Sequence, residues 1–262
     1  MLLTIDIGNS NIVLSLLDGQ DQVQQMLRLR TVPEKSTSRY RREIEALVQQ
    51  EQMDLSQVDG SVICSVVPAL VSVLSAVVRE LTGVHPYLVT PTSDTGLTLA
   101  IEEPNTLGCD IIAADTAAAE DYPLPVVVFD MGTATTVTVV DADRRYIGGA
   151  ILPGVKLGLR ALFSGTAQLP NVPIQAPPRA ICSATIEALQ SGAVFGAAAM
   201  MDGLVDRFEA ELGRPCTVVA TGGLSGCIVP FCRRKIIHDE GLLLRGLGKI
   251  YRRNQDKCRL LH

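Results

Sequence analysis

Three aspartates, Asp6, Asp110 and Asp130, stand where an apolar run meets glycine. In LLTIDIGNSNIVLSLL and in VVVFDMGTATTVTVV the carboxylate is followed two residues later by Gly8 or Gly132, and then by a polar stretch. Hydroxyls such as those of Thr133, Thr135 and Thr136, together with turn N–H groups, can hold phosphate oxygens, and a carboxylate beside them can hold a hard cation. Asp110 differs, because it follows Gly108-Cys109 and opens an Ala-rich segment. There it either caps a helix, favoured by free N–H groups and the dipole, or acts as a general base that substrate approaches over the glycine. Two further stretches are weaker candidates. Thr221-Gly222-Gly223 suits a base or ribose, and the glycines of Ile147–Gly154 suggest a bend serving either an anion or close packing.

These groups need strands and helices to hold them. Leu2 to Ile7 and Ile12 to Leu17 read as a hairpin, as do the two apolar runs of Val126 to Val140. Aligning Asp6 on Asp130 superposes Gly8 on Gly132 at a separation close to half the chain, so a duplicated fold is expected, its halves facing each other across a cleft. Gln22 to Arg30 predicts a third strand, Ser61 to Ser65 and His85 to Val89 two more, and Cys216 to Ala220 another. The spacing of Tyr40, Ile44, Leu47 and Val48 predicts a helix over 36–50; Pro68 begins a second, at a position where its missing N–H is harmless. A third follows Asp110, a short one covers Gly158 to Ser164, and a long one with a small-residue face runs from Ser183 to about Glu211. Strands alternating with helices define an α/β class with largely buried sheets. Two domains are expected, 1–122 and 123–262, split near the prolines of Asp121 to Pro125.

Composition narrows the function. The chain has 262 residues, is 47% hydrophobic and 19% charged, and carries a formal net charge of −5, which indicates a globular protein and speaks against nucleic acid or an anionic membrane as partner. The absence of Trp argues against an aromatic base-stacking platform. The first residues show no signal-peptide pattern and the apolar runs look too short for a span, so a cytoplasmic location is expected. Seven scattered cysteines without a C-x-x-C pair predict neither a disulfide framework nor a zinc site, and most are expected to be buried. His85, His238 and His262 lack ligand spacing. The basic groups Arg233-Arg234-Lys235 and Arg252, Arg253, Lys257, Arg259 read as solvated surface.

Taken together, DIGNSNIVLSL, SVVP at 65–68, EPNTLGCD, FDMGTATTVTVVD, YIGGAILPG, TIEALQSGAVFG and ATGGLS resemble, in order and spacing, the type III pantothenate kinases, over Leu2 to about Tyr251. These belong to the superfamily of acetate and sugar kinases, Hsp70 and actin. The resemblance implies two ribonuclease-H-like α/β domains, a homodimer, and ATP-dependent phosphorylation of pantothenate to 4'-phosphopantothenate, the first step of coenzyme A synthesis. It implies that Asp6, Ile7, Gly8, Asn9, Ser10, Asn11, Ile12 and Val13 form the ATP phosphate loop, with Asp6 helping to hold Mg²⁺. It makes Asp110 the proton acceptor, Asp130 the ligand of a monovalent cation (K⁺ or NH₄⁺), Thr133 an ATP contact, and Gly108, Cys109, Asp110, Ile111 and Thr185 the acceptor-substrate side.

The chain departs from the family pattern on that acceptor side. Ile111 replaces the usual Arg, Ala114 an Asn and Ile101 a Tyr, and Cys182-Ser183-Ala184-Thr185 stands for G-K-N-T. Losing an Arg that meets a carboxylate removes a charge-assisted bond worth about 1.5–3 kcal/mol. Another cation such as Arg160 or Arg179 takes its place, or pantothenate binds weakly, or the acceptor is a different small alcohol. A non-catalytic, nucleotide-binding or regulatory relative is the alternative reading.

Overall fold

The computed structural model describes residues 1–255 and divides the chain into two compact units. Lys257, Cys258, Arg259 and His262 lie outside the described residues. One unit comprises Met1–Leu97, Glu102–Ala117 and the segment from Gly241; the other comprises Thr98–Ile101 and Ala118–Glu240.

The first unit is built on β1 (Leu2–Ile7), β2 (Asn11–Leu17) and β3 (Val23–Arg30), then α1 (Thr37–Gln50), β4 (Gly60–Ser65), α2 (Pro68–Thr82) and β5 (Tyr87–Leu88). Its sheet has the order β3-β2-β1-β4-β5, with β1 antiparallel to β2 and parallel to β4. Tyr40 and Ile44 of α1 and Leu70, Leu74, Val77 and Val78 of α2 are buried in one core with Ile5, Ile7 and Ile12. Pro68 starts α2 where no N–H is needed, and Gly83 ends it at φ 75°, the left-handed conformation that closes a helix without a Cβ clash.

β6 (Thr98–Leu99) is an edge strand of the second unit, and α3 (Cys109–Asp121) carries the chain from the first unit into the second. The second unit continues with β7 (Val126–Met131), β8 (Ala134–Val140), β9 (Arg145–Pro153), α4 (Val155–Gly165), α5 (Thr185–Ser191), α6 (Ala197–Leu212), β10 (Thr217–Thr221), α7 (Ser225–Ile228) and β11 (Ile237–His238). α8 (Leu242–Arg253) belongs to the first unit. The second sheet reads β11-β10-β7-β8-β9-β6. Apart from β6 it repeats the first: a three-strand antiparallel meander, with a fourth and fifth strand added parallel on the other side of the leading strand. Each meander even shifts register at its second strand, between Leu16 and Leu17 and between Val139 and Val140. The duplication expected from the two hairpins is present in the topology.

Several expectations change. Ile147–Leu152 is not a bend but lies within β9, because Gly149 brings that strand against the Val137 carbonyl, where a Cβ has no room. The long helix is interrupted by a π-helical stretch, Gly192–Gly196, between α5 and α6. With it, Thr185–Leu212 reaches the length and apolarity of a membrane span, contrary to the reading of short apolar runs. Yet Val194, Ala198, Met201 and Val205 are buried with Val127, Phe129 and Val218, which makes it a helix of the second unit's core. The cysteine expectation also fails. Cys64 and Cys109 are joined in a disulfide, Cys227 is exposed, and Cys182, Cys216 and Cys232 are half-buried. Positions 45 apart meet because the start of α3 packs against the end of β4, a proximity with no trace in the spacing. Parts of the basic clusters are paired: Arg234 with Asp206 and Glu209, and Arg252 with Asp21.

The β8–β9 turn supplies an acid-sensitive contact. Asp141 accepts from the N–H groups of Asp143 and Arg145, both at 2.9 Å, and from Arg145 Nε at 2.8 Å. Burial pushes its carboxyl up, but the Arg145 N–H and guanidinium and the Asp143 N–H outweigh it and hold the carboxyl below the usual range. A depressed carboxylate contributes fully above its unfolded value of about 3.9 and loses that contribution as pH falls through the folded value. Asp141→Asn is therefore expected to flatten the acid limb of Tm against pH between about pH 5 and pH 2. A limb as steep as wild type would show that Asp141 contributes nothing to it.

Candidate active site

In the first unit the polar turn lies between β1 and β2. Asp6 is one residue from the end of β1 and half-buried, while Asn9, Ser10 and Asn11 are exposed and Ile12 and Val13 turn back into the core. The turn is closed from within by the Gly8 N–H donating to the Asn11 carbonyl at 3.0 Å. It is held from outside by Thr31, just past β3, which the sequence reading passed over. The Thr31 N–H donates to the Ser10 carbonyl at 3.1 Å and its Oγ1 to the Gly8 carbonyl at 2.7 Å. Both carbonyls are thereby drawn to one side of the turn.

Thr31→Val removes a hydroxyl from a position only 8% exposed, and leaves the Gly8 carbonyl without it. A net loss of about 0.5–1.5 kcal/mol follows. If this turn binds ATP, KM for ATP is expected to rise about three- to tenfold with kcat little changed, and Thr31→Ser to stay near wild type. Equal KM values in all three proteins would remove Thr31 from the site.

Asp110 lies in the first turn of α3. Its Oδ1 accepts from the Ile111 N–H at 2.9 Å and folds over Gly108, where a Cβ would collide with it. Gly108 is therefore needed for this carboxylate's position, which gives the G-x-D spacing a physical reason. The α3 start is tied to β4 by Cys109, whose Sγ is bonded to Cys64 and accepts from the Ser65 N–H at 3.0 Å. Cys64 is the residue that faces Asp6 across the β1–β4 pair. The structure thus brings Asp6 to Val13 together with Gly108 to Ile111 through β4. Farther along, Gly246 of α8 packs against the Ala113 carbonyl with no space for a side chain. Asp115, five residues after Asp110, is fully buried; the sequence reading did not single it out.

In the second unit Asp130 occupies the place that Asp6 holds in the first. It faces Thr136 across β7–β8 and Thr221 across β7–β10. Gly132 and Thr133 form an exposed turn, and buried Gly154 packs against both of their carbonyls, which leaves no room for a Cβ. Gly222 has φ 87°, and a Cβ there would lie 2.5 Å from Asp130 Oδ1 and 2.6 Å from the Met131 nitrogen. Its carbonyl accepts from Ser225 Oγ at 2.6 Å. The weak T-G-G motif is thus the wall beside Asp130. Thr185 begins α5 and is exposed.

The residues present fit the groups implied by the resemblance. Exposed turn residues and hydroxyls beside a half-buried carboxylate suit phosphate with Mg²⁺, and the Asp130 carboxylate, which faces Thr136 and Thr221 across its two strand pairs, suits a hard cation. Among the described residues no group of three or more His, Cys, Asp or Glu gathers as a metal cluster. A cation at Asp130 would therefore be completed by hydroxyl and carbonyl oxygens, the ligands hard cations take.

Comparison with known proteins identifies the family. A family model described as Type III pantothenate kinase matches residues 2–207. The Type III pantothenate kinase of an Exiguobacterium species is 38% identical over 97% of this chain and 100% of its own length. That of Thermomicrobium roseum is 40% identical over 97% of each. Among solved structures, a Campylobacter jejuni protein assigned to the Baf family of transcriptional activators has TM-score 0.58 and 22% identity, covering 97% of this chain and 99% of its own. The activator of the 2-hydroxyisocaproyl-CoA dehydratase from Clostridium difficile, with bound ADPNP, has TM-score 0.53 and 12% identity, covering 99% and 97%. The last two speak to the fold alone. With a family model over most of its length and full-length relatives near 40% identity, the chain belongs to the type III pantothenate kinase family.

Proposed function

We propose that this protein transfers the terminal phosphoryl group of ATP to the primary hydroxyl of pantothenate, the first step of coenzyme A synthesis. The observation that carries the reading beyond family membership is the intact G-x-D geometry: Asp110 folded over Gly108 in the first turn of α3, held to the strand beside Asp6. Phosphoryl transfer asks a protein mainly for positioning and charge neutralisation. The turn from Asp6 to Val13 holds the phosphates, and Thr133 touches ATP from the second hairpin. Asp6 and Asp130 would hold Mg²⁺ and a monovalent cation, which supply charge neutralisation when bound. Asp110 accepts the proton of the attacking hydroxyl, and Gly108, Cys109, Ile111 and Thr185 border the acceptor.

The Ile111, Ala114 and Ile101 departures fall on that acceptor side, so pantothenate is the substrate to test first. Purified protein in potassium buffer is expected to consume ATP in a pantothenate-dependent way. ATP binding without such turnover would overturn the reading in favour of a nucleotide-binding relative; turnover with another small alcohol alone would change the acceptor.

The active form is a homodimer in the cytoplasm. Support for the dimer is the apolar surface of the second unit, where Ile151 is 78% and Ile181 is 89% exposed, with Leu157, Leu162 and Phe163 of α4 also exposed. A monomeric mass in solution would exclude it.

A further inference from the structure

The Cys64–Cys109 bridge adjoins two of the carboxylates that the proposed reaction uses, Asp6 and Asp110. Cys64 faces Asp6 across the β1–β4 pair, and Cys109 directly precedes Asp110. The surroundings of the two sulfurs differ. Cys64 is fully buried, whereas Cys109 is part-exposed at the start of α3. A freed Cys109 thiol would also find a partner nearby, because in the bridged form Cys109 Sγ lies 3.0 Å from the Ser65 nitrogen and 3.4 Å from the Ser65 carbonyl oxygen. As a disulfide the sulfur accepts from the N–H, and as a thiol it can also donate to the carbonyl. Disulfides are uncommon in the cytoplasm, and those found there are typically redox-responsive.

We propose that Cys64 and Cys109 are a reversible thiol–disulfide pair that sets the turnover of this site, with Cys109 the exchanging sulfur and Cys64 the resolving one. The coupling to turnover rests on Asp110 being the base. In the oxidising direction the Cys109 thiolate attacks one sulfur of a low-molecular-weight disulfide, forming a mixed disulfide and releasing one small thiol. The Cys64 sulfur, losing its proton to solvent, then attacks Cys109 Sγ. The internal bond forms, the mixed bond breaks, and a second small thiol leaves. The two cysteines lose two electrons and two protons, and the small disulfide gains them. Reduction runs the same steps backwards from attack at Cys109, since Cys64 is shielded.

The physical link to catalysis is short. Unbonded sulfurs must separate to van der Waals distance, and the only backbone between Cys109 and Asp110 is one peptide. Opening the bridge therefore shifts the first turn of α3 relative to β4, and so Asp110 relative to Asp6. Misplacing a reacting group by about 1 Å costs up to about 10² in rate. The β1–β2 turn is held by Thr31 and its own hydrogen bonds, not by the bridge, so ATP binding is spared. Other cysteines are poorer starting points. Burial and the neighbouring Glu209 push the Cys216 thiol up to about 11, and burial with Asp202 does the same for Cys232.

The test equilibrates the wild-type protein with glutathione mixtures from fully reduced to fully oxidised, then blocks free thiols and maps them by mass. Initial rates are measured on the same samples. One internal bridge, Cys64–Cys109, is expected, with the bridged form turning over about ten- to a hundredfold faster than the reduced form and KM for ATP unchanged. Cys64→Ala should form no bridge and should retain glutathione on Cys109, for want of a resolving thiol. Both cysteines free at every ratio, an adduct confined to Cys227 in Cys64→Ala, or equal turnover in bridged and reduced protein would each overturn the proposal. The mass readout does not need turnover. A bridge that forms in a protein with no pantothenate-dependent activity therefore overturns the function reading and the coupling together, while retaining the exchange pair.

Discussion

Asp110→Asn is expected to lower kcat for pantothenate phosphorylation by about 10²–10⁴ while leaving the thermal midpoint and ATP affinity near wild type. A positioned base contributes this much because a primary alcohol is a poor nucleophile until its proton is accepted. The isosteric amide keeps the Ile111 N–H bond at Oδ1, so the first turn of α3 is not disturbed. The comparison separates the two meanings of a carboxylate at a helix start. If Asp110 is only a cap, Asn caps nearly as well, and both stability and turnover should survive. If it is the base, turnover alone collapses. Wild-type kcat in the Asn variant would exclude Asp110 from the chemistry.

Gly222→Ala is expected to damage stability and site together. The added Cβ would stand 2.5 Å from Asp130 Oδ1 and 2.6 Å from the Met131 nitrogen, on a backbone at φ 87°. The Met131 nitrogen and carbonyl carbon are backbone atoms of β7 and cannot swing aside. The strained conformation and the clash cost about 2 kcal/mol or more, a fall in Tm of roughly 4–8 °C for a protein of this size. Because relief of the clash moves the Asp130 carboxylate, any potassium stimulation should weaken in the same variant. Gly165→Ala, where an added Cβ meets nothing within 4 Å, serves as the control. Equal melting of the Gly222 variant and wild type would show that the β10–β7 contact yields more readily than its geometry implies.

The two hairpins were legible because each apolar run is long enough to name a strand and each ends in the same carboxylate-and-glycine pattern. The duplicated meander followed from that likeness. α1 and α2 were legible from the spacing of Tyr40, Ile44, Leu47 and Val48 and from Pro68 at a helix start. β9 was misread, since two adjacent glycines look like a bend until the Val137 carbonyl is seen to occupy the space a side chain would need. The π-helical stretch at Gly192–Gly196 was missed because local composition does not distinguish it from an ordinary helix.

The sequence by itself determined the α/β class, the doubled hairpin with its paired acids, and the candidates Asp6, Asp110 and Asp130, because strand patterning and G-x-D spacing are local properties. Only the tertiary structure decided that Thr31 clamps the β1–β2 turn, that Gly222 walls Asp130, and that Cys64 meets Cys109 beside Asp110. Each of these depends on which strand lies next to which and in what register. Register is set by burying one whole face of a sheet rather than by any residue's immediate neighbours, so positions far apart in the chain acquire their roles only when the sheet forms.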